Sequence, residues 1–169
     1  MSSDNDAELA EVYGSSVREI YAYCLRRLFV TNLAEDATSA VFLRLVERYP
    51  SLKGKSRKAI RNWLYGTASN VIADFLRNAR RQKQIGEALA GIGQGSSGQE
   101  PPGLERLDWP VLYAAIRELS ERQQAIIVLR YFEGFETKAI AKVLGMAHVT
   151  VRVELLRTVA ALRQKLLRL

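Results

Sequence analysis

Residues 137–157 read Thr137-Lys138-Ala139-Ile140-Ala141-Lys142-Val143-Leu144-Gly145-Met146-Ala147-His148-Val149-Thr150-Val151-Arg152-Val153-Glu154-Leu155-Leu156-Arg157. Apolar residues recur at helical spacing on both sides of Gly145, so the stretch predicts a helix over 137–144 and a second over 148–167. Ala141, Gly145 and Val151 have the spacing of a helix-turn-helix. The small residue lets the two helices approach, glycine makes the sharp turn, and the β-branched side chain plugs the angle between them. The same triplet also occurs in all-α proteins that bind no DNA. Its setting is basic: residues 111–169 hold 10 Lys and Arg against 5 Asp and Glu.

Upstream, Ser120 followed by Gln123 has the form of a capping box and predicts a helix from there to Gly134. Asp108 and Pro110 open an earlier one carrying Leu112, Ala115, Ile116 and Leu119. Before it, Gly86 to Gly103 contains six of the eleven glycines, Ser96, Ser97 and the pair Pro101-Pro102. That composition cannot bury apolar surface and predicts a flexible linker. Residues 87–110 hold 1 base and 4 acids, whereas residues 1–86 hold 14 and 9. The expected organisation is therefore a domain over 1–86, an acidic linker over 87–107 and a second domain over 108–169.

In the first block, Tyr13, Val17, Ile20, Cys24 and Leu28 form one apolar stripe, flanked by Tyr21 and Leu25. A second helix is expected from an Asn32 cap box with Glu35, burying Ala34, Ala37, Val41 and Leu45 and stopping at Tyr49-Pro50. After the breakers Pro50 and Gly54, a long third helix is expected from near Ser56 to about Gln84. It would bury Ile60, Trp63, Leu64, Val71, Phe75 and Leu76, with Gly66 costing it about 1 kcal/mol relative to Ala. No stretch alternates with period two, so the fold class is all-α: two small helical domains, the second a four-helix domain with a helix-turn-helix.

The composition excludes several classes. The chain has 169 residues and a formal net charge of +7. Its longest apolar runs, Ile20–Leu25 and Val111–Ile116, are six residues each; a membrane helix needs about 20. Met1 to Glu11 carries four acids and no base, unlike a secretory signal, so the expected location is the cytoplasm. A single Cys24 allows no internal disulfide and reads as a small core residue, and with one histidine, His148, no zinc set is available. No nucleophile, base constellation or nucleotide loop appears, so no enzyme, metal or cofactor is expected.

The wider match is more specific. Leu119-Ser120-Glu121-Arg122-Gln123-Gln124, Leu129-Arg130-Tyr131-Phe132-Glu133-Gly134 and Ile140-Ala141-Lys142-Val143-Leu144-Gly145 together resemble the C-terminal promoter-binding domain of bacterial sigma factors. Ala34-Glu35-Asp36-Ala37, Val41-Phe42-Leu43-Arg44-Leu45, and Trp63-Leu64-Tyr65 with Ala68, Asn70, Asp74, Leu76 and Arg77 resemble the N-terminal domain of the extracytoplasmic-function (ECF) class. The resemblance covers about residues 10–86 and 108–167. It implies a subunit, monomeric when free, that binds core RNA polymerase and directs it to promoter DNA without catalysis. Many relatives are held by an anti-sigma protein between the two domains, and the linker would permit such a partner here.

By this resemblance, Asp36, Arg44 and Leu45 would contact the polymerase clamp. Lys53, Lys55, Arg57, Lys58, Arg61, Asn62, Trp63, Asn70, Asp74, Arg77, Arg80 and Arg81 would melt and read the minus-ten element. The charge agrees, since residues 53–83 hold nine bases and one acid and each neutralised phosphate releases counterions. Trp63 and Tyr65 could receive an unpaired base or simply fill the core. For the minus-thirty-five element the matching residues are Lys138, His148, Val149, Thr150, Arg152, Val153 and Arg157. Thr150, Arg152, Arg157 and Lys138 are expected on phosphates. His148 is the best base-edge candidate, or merely an exposed polar residue.

Departures from the family pattern are Ser39 and Ala40 in the docking helix, Gly66 and Ser69 where Arg is frequent, and a longer loop before Trp63. In the reader helix, Ala147 replaces a Ser cap and Glu154 an Arg. Its outward face, with Val149, Val153 and Leu156, is unusually apolar. Such a face can touch thymine methyl groups or cover a protein surface. The alternative reading is accordingly a sigma-like interaction protein or coactivator that no longer reads an upstream element. A stand-alone repressor would need to be a dimer.

Overall fold

A computed structural model describes residues 2–85 and 109–168. It divides into an N-terminal and a C-terminal unit, and every regular element among the described residues is helical. The linker over 87–107 and the Asp108 helix opening lie outside the described residues.

The N-terminal unit is a bundle of α1 (Ser2–Leu28), α2 (Thr31–Leu52) and α3 (Arg57–Ile85). Its core is Ile20, Tyr23, Cys24 and Leu28 from α1, Ala34, Ala37, Val41 and Leu45 from α2, and Leu64, Tyr65, Ala68, Val71 and Ile72 from α3. The alanines let the helix axes approach, and Cys24 is an inert core residue as its stripe predicts. Tyr13, expected on that stripe, is 50% exposed and meets Phe42 edge-on with ring centroids 4.8 Å apart. The stripe reaches the core only from Ile20 onward.

Two expected boundaries of α2 are corrected. The helix starts two residues early, with Val30 rather than Asn32 as an extended N-cap that makes no side-chain bond. Asn32 therefore lies inside the first turn, and the Asn32–Glu35 cap box does not form. At the other end α2 runs through Pro50 to Leu52. Pro50 lacks the donor for one helical bond, but Lys53 N–H still reaches Tyr49 C=O at 2.9 Å, and Tyr49 and Leu52 are both buried. Tertiary packing holds the last turn against the local propensity. Ser56 then opens α3 by accepting Ala59 N–H at 3.1 Å.

A buried polar relay joins α1 to α3. Arg27 Nη1 donates to Tyr23 Oη at 2.9 Å, and Tyr23 lies 2.8 Å from Ser69 Oγ. Ser69 spends its single proton on Tyr65 C=O at 2.8 Å, so the Tyr23 hydroxyl must donate to Ser69. Burial pushes the Tyr23 phenol above its ordinary value, opposed by the Arg27 charge; it acts as a neutral donor. Ser69, which the family comparison places where Arg thickens phosphate contacts, is a core residue here. Arg27 is fully buried.

The C-terminal unit packs α4 (Trp109–Arg117), α5 (Glu121–Ile127), α6 (Thr137–Leu144) and α7 (His148–Leu167) around Ile116, Ile126, Leu129, Phe135, Ile140, Val151 and Leu162. The capping box forms: Gln123 N–H donates to Ser120 Oγ at 3.3 Å, and Ser120 N–H to Gln123 Oε1 at 3.2 Å. Replacing Ser120 with Ala should cost about 1 kcal/mol, read as a lower urea midpoint for this unit. The helix expected from Ser120 to Gly134 is not α-helical throughout. Val128–Phe132 is a π-helical segment, closed by Glu133 N–H on Val128 C=O at 3.0 Å. The extra residue leaves the apolar pattern legible but not the change in hydrogen-bond register.

Candidate polymerase and nucleic-acid interfaces

On α2, Asp36 and Arg44 are exposed, as a docking role requires. Leu45 is not: it is 1% exposed, packed in the core with Val41. The expectation that Leu45 contacts a partner is corrected, because a side chain enclosed by its own bundle presents no surface. The apolar residues that α2 does present are Leu43 and Val46, at 62% and 55% exposure. Leu43 lies seven residues, two helical turns, from Asp36. With Leu9 and Tyr13 of α1 they line a groove of about 490 Å³. Sequence reasoning missed them because Leu43, Leu45 and Val46 are equally apolar; only counting the helical phase from Val41 would have separated them.

The expected minus-ten residues do not form one patch. Trp63, Asn70, Asp74, Arg77 and Arg81 follow at spacings of seven, four, three and four, which places them along one face of α3. That face points away from the buried Leu64, Ala68, Val71 and Ile72. Trp63 is half-buried there rather than in the core, whereas Tyr65 is buried. Asp74 ties this face to α2, pairing with Arg77 and lying 3.9 Å from Arg44. Arg80 is exposed nearby in sequence, and Asn62 is half-buried.

Lys53, Arg57 and Arg61 are held elsewhere, against α1. Arg57 Nη2 meets Glu11 Oε1 at 3.1 Å and Arg61 Nε meets Glu19 Oε2 at 3.5 Å. Lys53 donates to Asn5 Oδ1. Beside them Tyr49 donates to Glu8 at 3.0 Å. Partial burial first, and then the Glu8 carboxylate, raise the Tyr49 phenol. Lys55 and Lys58 are exposed.

In the C-terminal unit the helix-turn-helix forms as its spacing requires. Gly145 has φ +63°, the left-handed conformation that ends α6, and Met146 N–H caps Ala141 C=O at 2.9 Å. Val151 is fully buried between the helices. Ala147, the α7 N-cap, supplies no side-chain bond. Thr137 Oγ1 and His148 Nε2 lie 2.8 Å apart and tie the first turn of α6 to the first turn of α7. His148 is thus a half-buried bracing residue, which removes the reading of a merely exposed polar side chain.

Lys138, Val149, Arg152, Val153 and Arg157 are exposed, and Thr150 is half-buried. The exposed face runs further than the expected reading face. Val149, Val153, Leu156, Ala160, Arg163 and Leu167 are all exposed at alternating spacings of four and three, so the apolar stripe is interrupted by the Arg163 charge. Among the described residues no group of His, Cys, Asp or Glu could hold a metal ion, and no helix is long and apolar enough to cross a membrane.

Known proteins share this arrangement. The Sigma-70 region 2 family matches residues 12–82 and the Sigma-70 region 4 family residues 111–162. The ECF RNA polymerase sigma factor SigL of Mycobacterium tuberculosis is 31% identical over 159 residues, covering 93% of this chain and 88% of SigL. The ECF RNA polymerase sigma factor BldN of Streptomyces coelicolor is 30% identical over 148 residues, covering 85% of this chain and 55% of BldN. In fold, the chain is similar to the sigma factor RpoE of Bartonella quintana, solved in complex with the anti-sigma factor NepR. That match has a TM-score of 0.71 over 96% of both chains at 22% identity. Matched in both helical units and along most of the length of SigL, the chain belongs to the ECF family of RNA polymerase sigma factors.

Proposed function

We propose a division of labour within this promoter-directing sigma factor. The outward face of α2 docks on core RNA polymerase, α3 and the loop before it engage the minus-ten element, and α7 engages the minus-thirty-five element. The observation that carries this reading is the α3 face on which Trp63 and Asn70 stand with Arg77 and Arg81. An accessible ring that can stack on an unpaired base lies beside cations that can hold its phosphates. Asp36, Arg44 and the exposed Leu43 supply a mixed polar and apolar surface on α2 suited to a protein partner. On α7, Arg152 and Arg157 flank Val149 and Val153, which suits phosphate anchoring with thymine-methyl contacts between.

In this reading the chain is a non-catalytic initiation subunit that works in the cytoplasm with the polymerase. Its partners are core polymerase, promoter DNA and an anti-sigma protein of the kind bound to the Bartonella relative. The interaction-protein alternative is not favoured, because relatives matched along both units are sigma factors.

Transcription in vitro tests the reading. Purified chain and bacterial core polymerase on a fragmented genomic template should yield starts that share two upstream motifs. Arg152→Ala should weaken binding uniformly across those promoters and lower the slope of log affinity against log salt by about 1. A stable polymerase complex that produces no specific starts would overturn the assignment.

A further inference from the structure

The cations of the N-terminal unit face two ways, and one group is already occupied. Asn5, Glu8, Glu11 and Glu19 lie along one side of α1, where they meet Lys53, Tyr49, Arg57 and Arg61 respectively. Two carboxylates, Glu11 and Glu19, thus stand against two bases that the DNA reading assigns to phosphates, Arg57 and Arg61, while Lys53 meets a neutral amide and Glu8 a phenol. The contacts are solvent-facing, with the Arg57 and Glu11 side chains 89% and 70% exposed, so each contributes little to holding the fold. From Ser3 to Glu19 no side chain of α1 is fully buried, although Tyr13 packs on Phe42 and Glu19 also accepts from Tyr65 Oη at 3.5 Å. The solvent-facing Glu11 and Glu19 carboxylates can therefore swing away from their bases without opening the hydrophobic core.

We infer that the Glu11 and Glu19 side chains of α1 form a displaceable acidic cover, in which they take the place of DNA phosphates over Arg57 and Arg61. The inference rests on the reading of the loop and α3 as a DNA-binding surface. Its physical content is competition. Each carboxylate beside a base cancels the field that would release counterions from DNA. The free chain then holds nucleic acid weakly and with a shallow salt dependence until phosphates displace the cover. Local acids next to a basic site act as a filter: a dense array of phosphates can outcompete two exposed pairs, whereas scattered contacts cannot.

The test uses the full chain and a labelled, mixed-sequence single-stranded DNA, with binding followed by fluorescence anisotropy across about 50–200 mM salt. The variant Glu11→Gln/Glu19→Gln keeps the side-chain shapes and removes the charge. It should bind at least about tenfold more tightly at low salt, with a slope steeper by about 1.4, the value for two added phosphate contacts on a single strand. Adding Arg57→Gln/Arg61→Gln should abolish that gain.

A gain that survives loss of these two bases would overturn the inference, since general charge rather than a cover would be its source. Arg77→Gln/Arg81→Gln, on the other face of α3, separates the two levels of the argument. If the glutamine variant binds like the parent while Arg77→Gln/Arg81→Gln weakens binding, the cover is refuted and the DNA surface stands. If neither changes binding, both fall. Circular dichroism melting of each variant excludes misfolding as the cause.

Discussion

Val151→Asp should eliminate promoter-directed initiation by unfolding the C-terminal unit, without changing the N-terminal one. Val151 is fully buried, and Ile140 and Ala141 of the preceding helix are buried as well. Taking a carboxylate out of water into a fully buried apolar site costs several kcal/mol. A unit of roughly 60 residues has about 3–9 kcal/mol of stability in total. The penalty is of the same size as the whole reserve, so the expected result is loss of the cooperative melting transition of this unit. Thermal unfolding followed by circular dichroism should retain the transition of the three-helix bundle and lose the other. Survival of both transitions would mean that Val151 is not the plug of the interhelical angle. Val151→Ile would add volume at a filled site and should cost less, within about 1–3 kcal/mol.

Leu45→Ala should destabilise the N-terminal unit by about 2–5 kcal/mol, the usual range for emptying a core leucine site. Leu43→Ala, two residues away on the same helix, should change its stability by no more than about 0.5 kcal/mol. The contrast arises from helical phase alone. Leu45 points into the bundle and Leu43 points out of it. Under the docking reading their effects on polymerase binding should be inverted relative to stability. Leu43→Ala should weaken association with core polymerase while the protein remains fully folded. Leu45→Ala should reduce association only in proportion to the unfolded fraction. Urea unfolding and a binding titration on the same two variants check both statements. Equal stability losses at the two sites would contradict the observed burial.

Much of the architecture is legible in the sequence where a local interaction specifies it. The Ser120–Gln123 box closes within four residues and forms as expected. The α6–α7 boundaries follow from a periodic apolar pattern and from Gly145, whose left-handed φ of +63° is a conformation that glycine adopts without strain. The helix-turn-helix is therefore readable from Ala141, Gly145 and Val151 together with that periodic pattern. The resemblance carried by Leu119–Gly145 and by Ala34–Arg77 likewise identifies the family before any coordinates are considered.

Other features depend on partners distant in the chain. Pro50 reads as a stop, yet burial of Tyr49 and Leu52 carries α2 past it. Arg27 is fully buried because it donates to Tyr23, which in turn meets Ser69, 46 positions further along the chain from Tyr23. The bases from Lys53 to Arg81 read as one patch because sequence counts charge without direction. In the bundle they separate, Arg77 and Arg81 sharing a face with Trp63 while Arg57 and Arg61 turn toward the acids of α1. Local hydrogen bonding and periodicity determined the helices, the turn and the family. Tertiary packing alone decided which side of each helix is open and which charges are already paired, because both depend on contacts between residues some 40 or more positions apart, as with Arg57 and Glu11, that no spacing along one helix encodes.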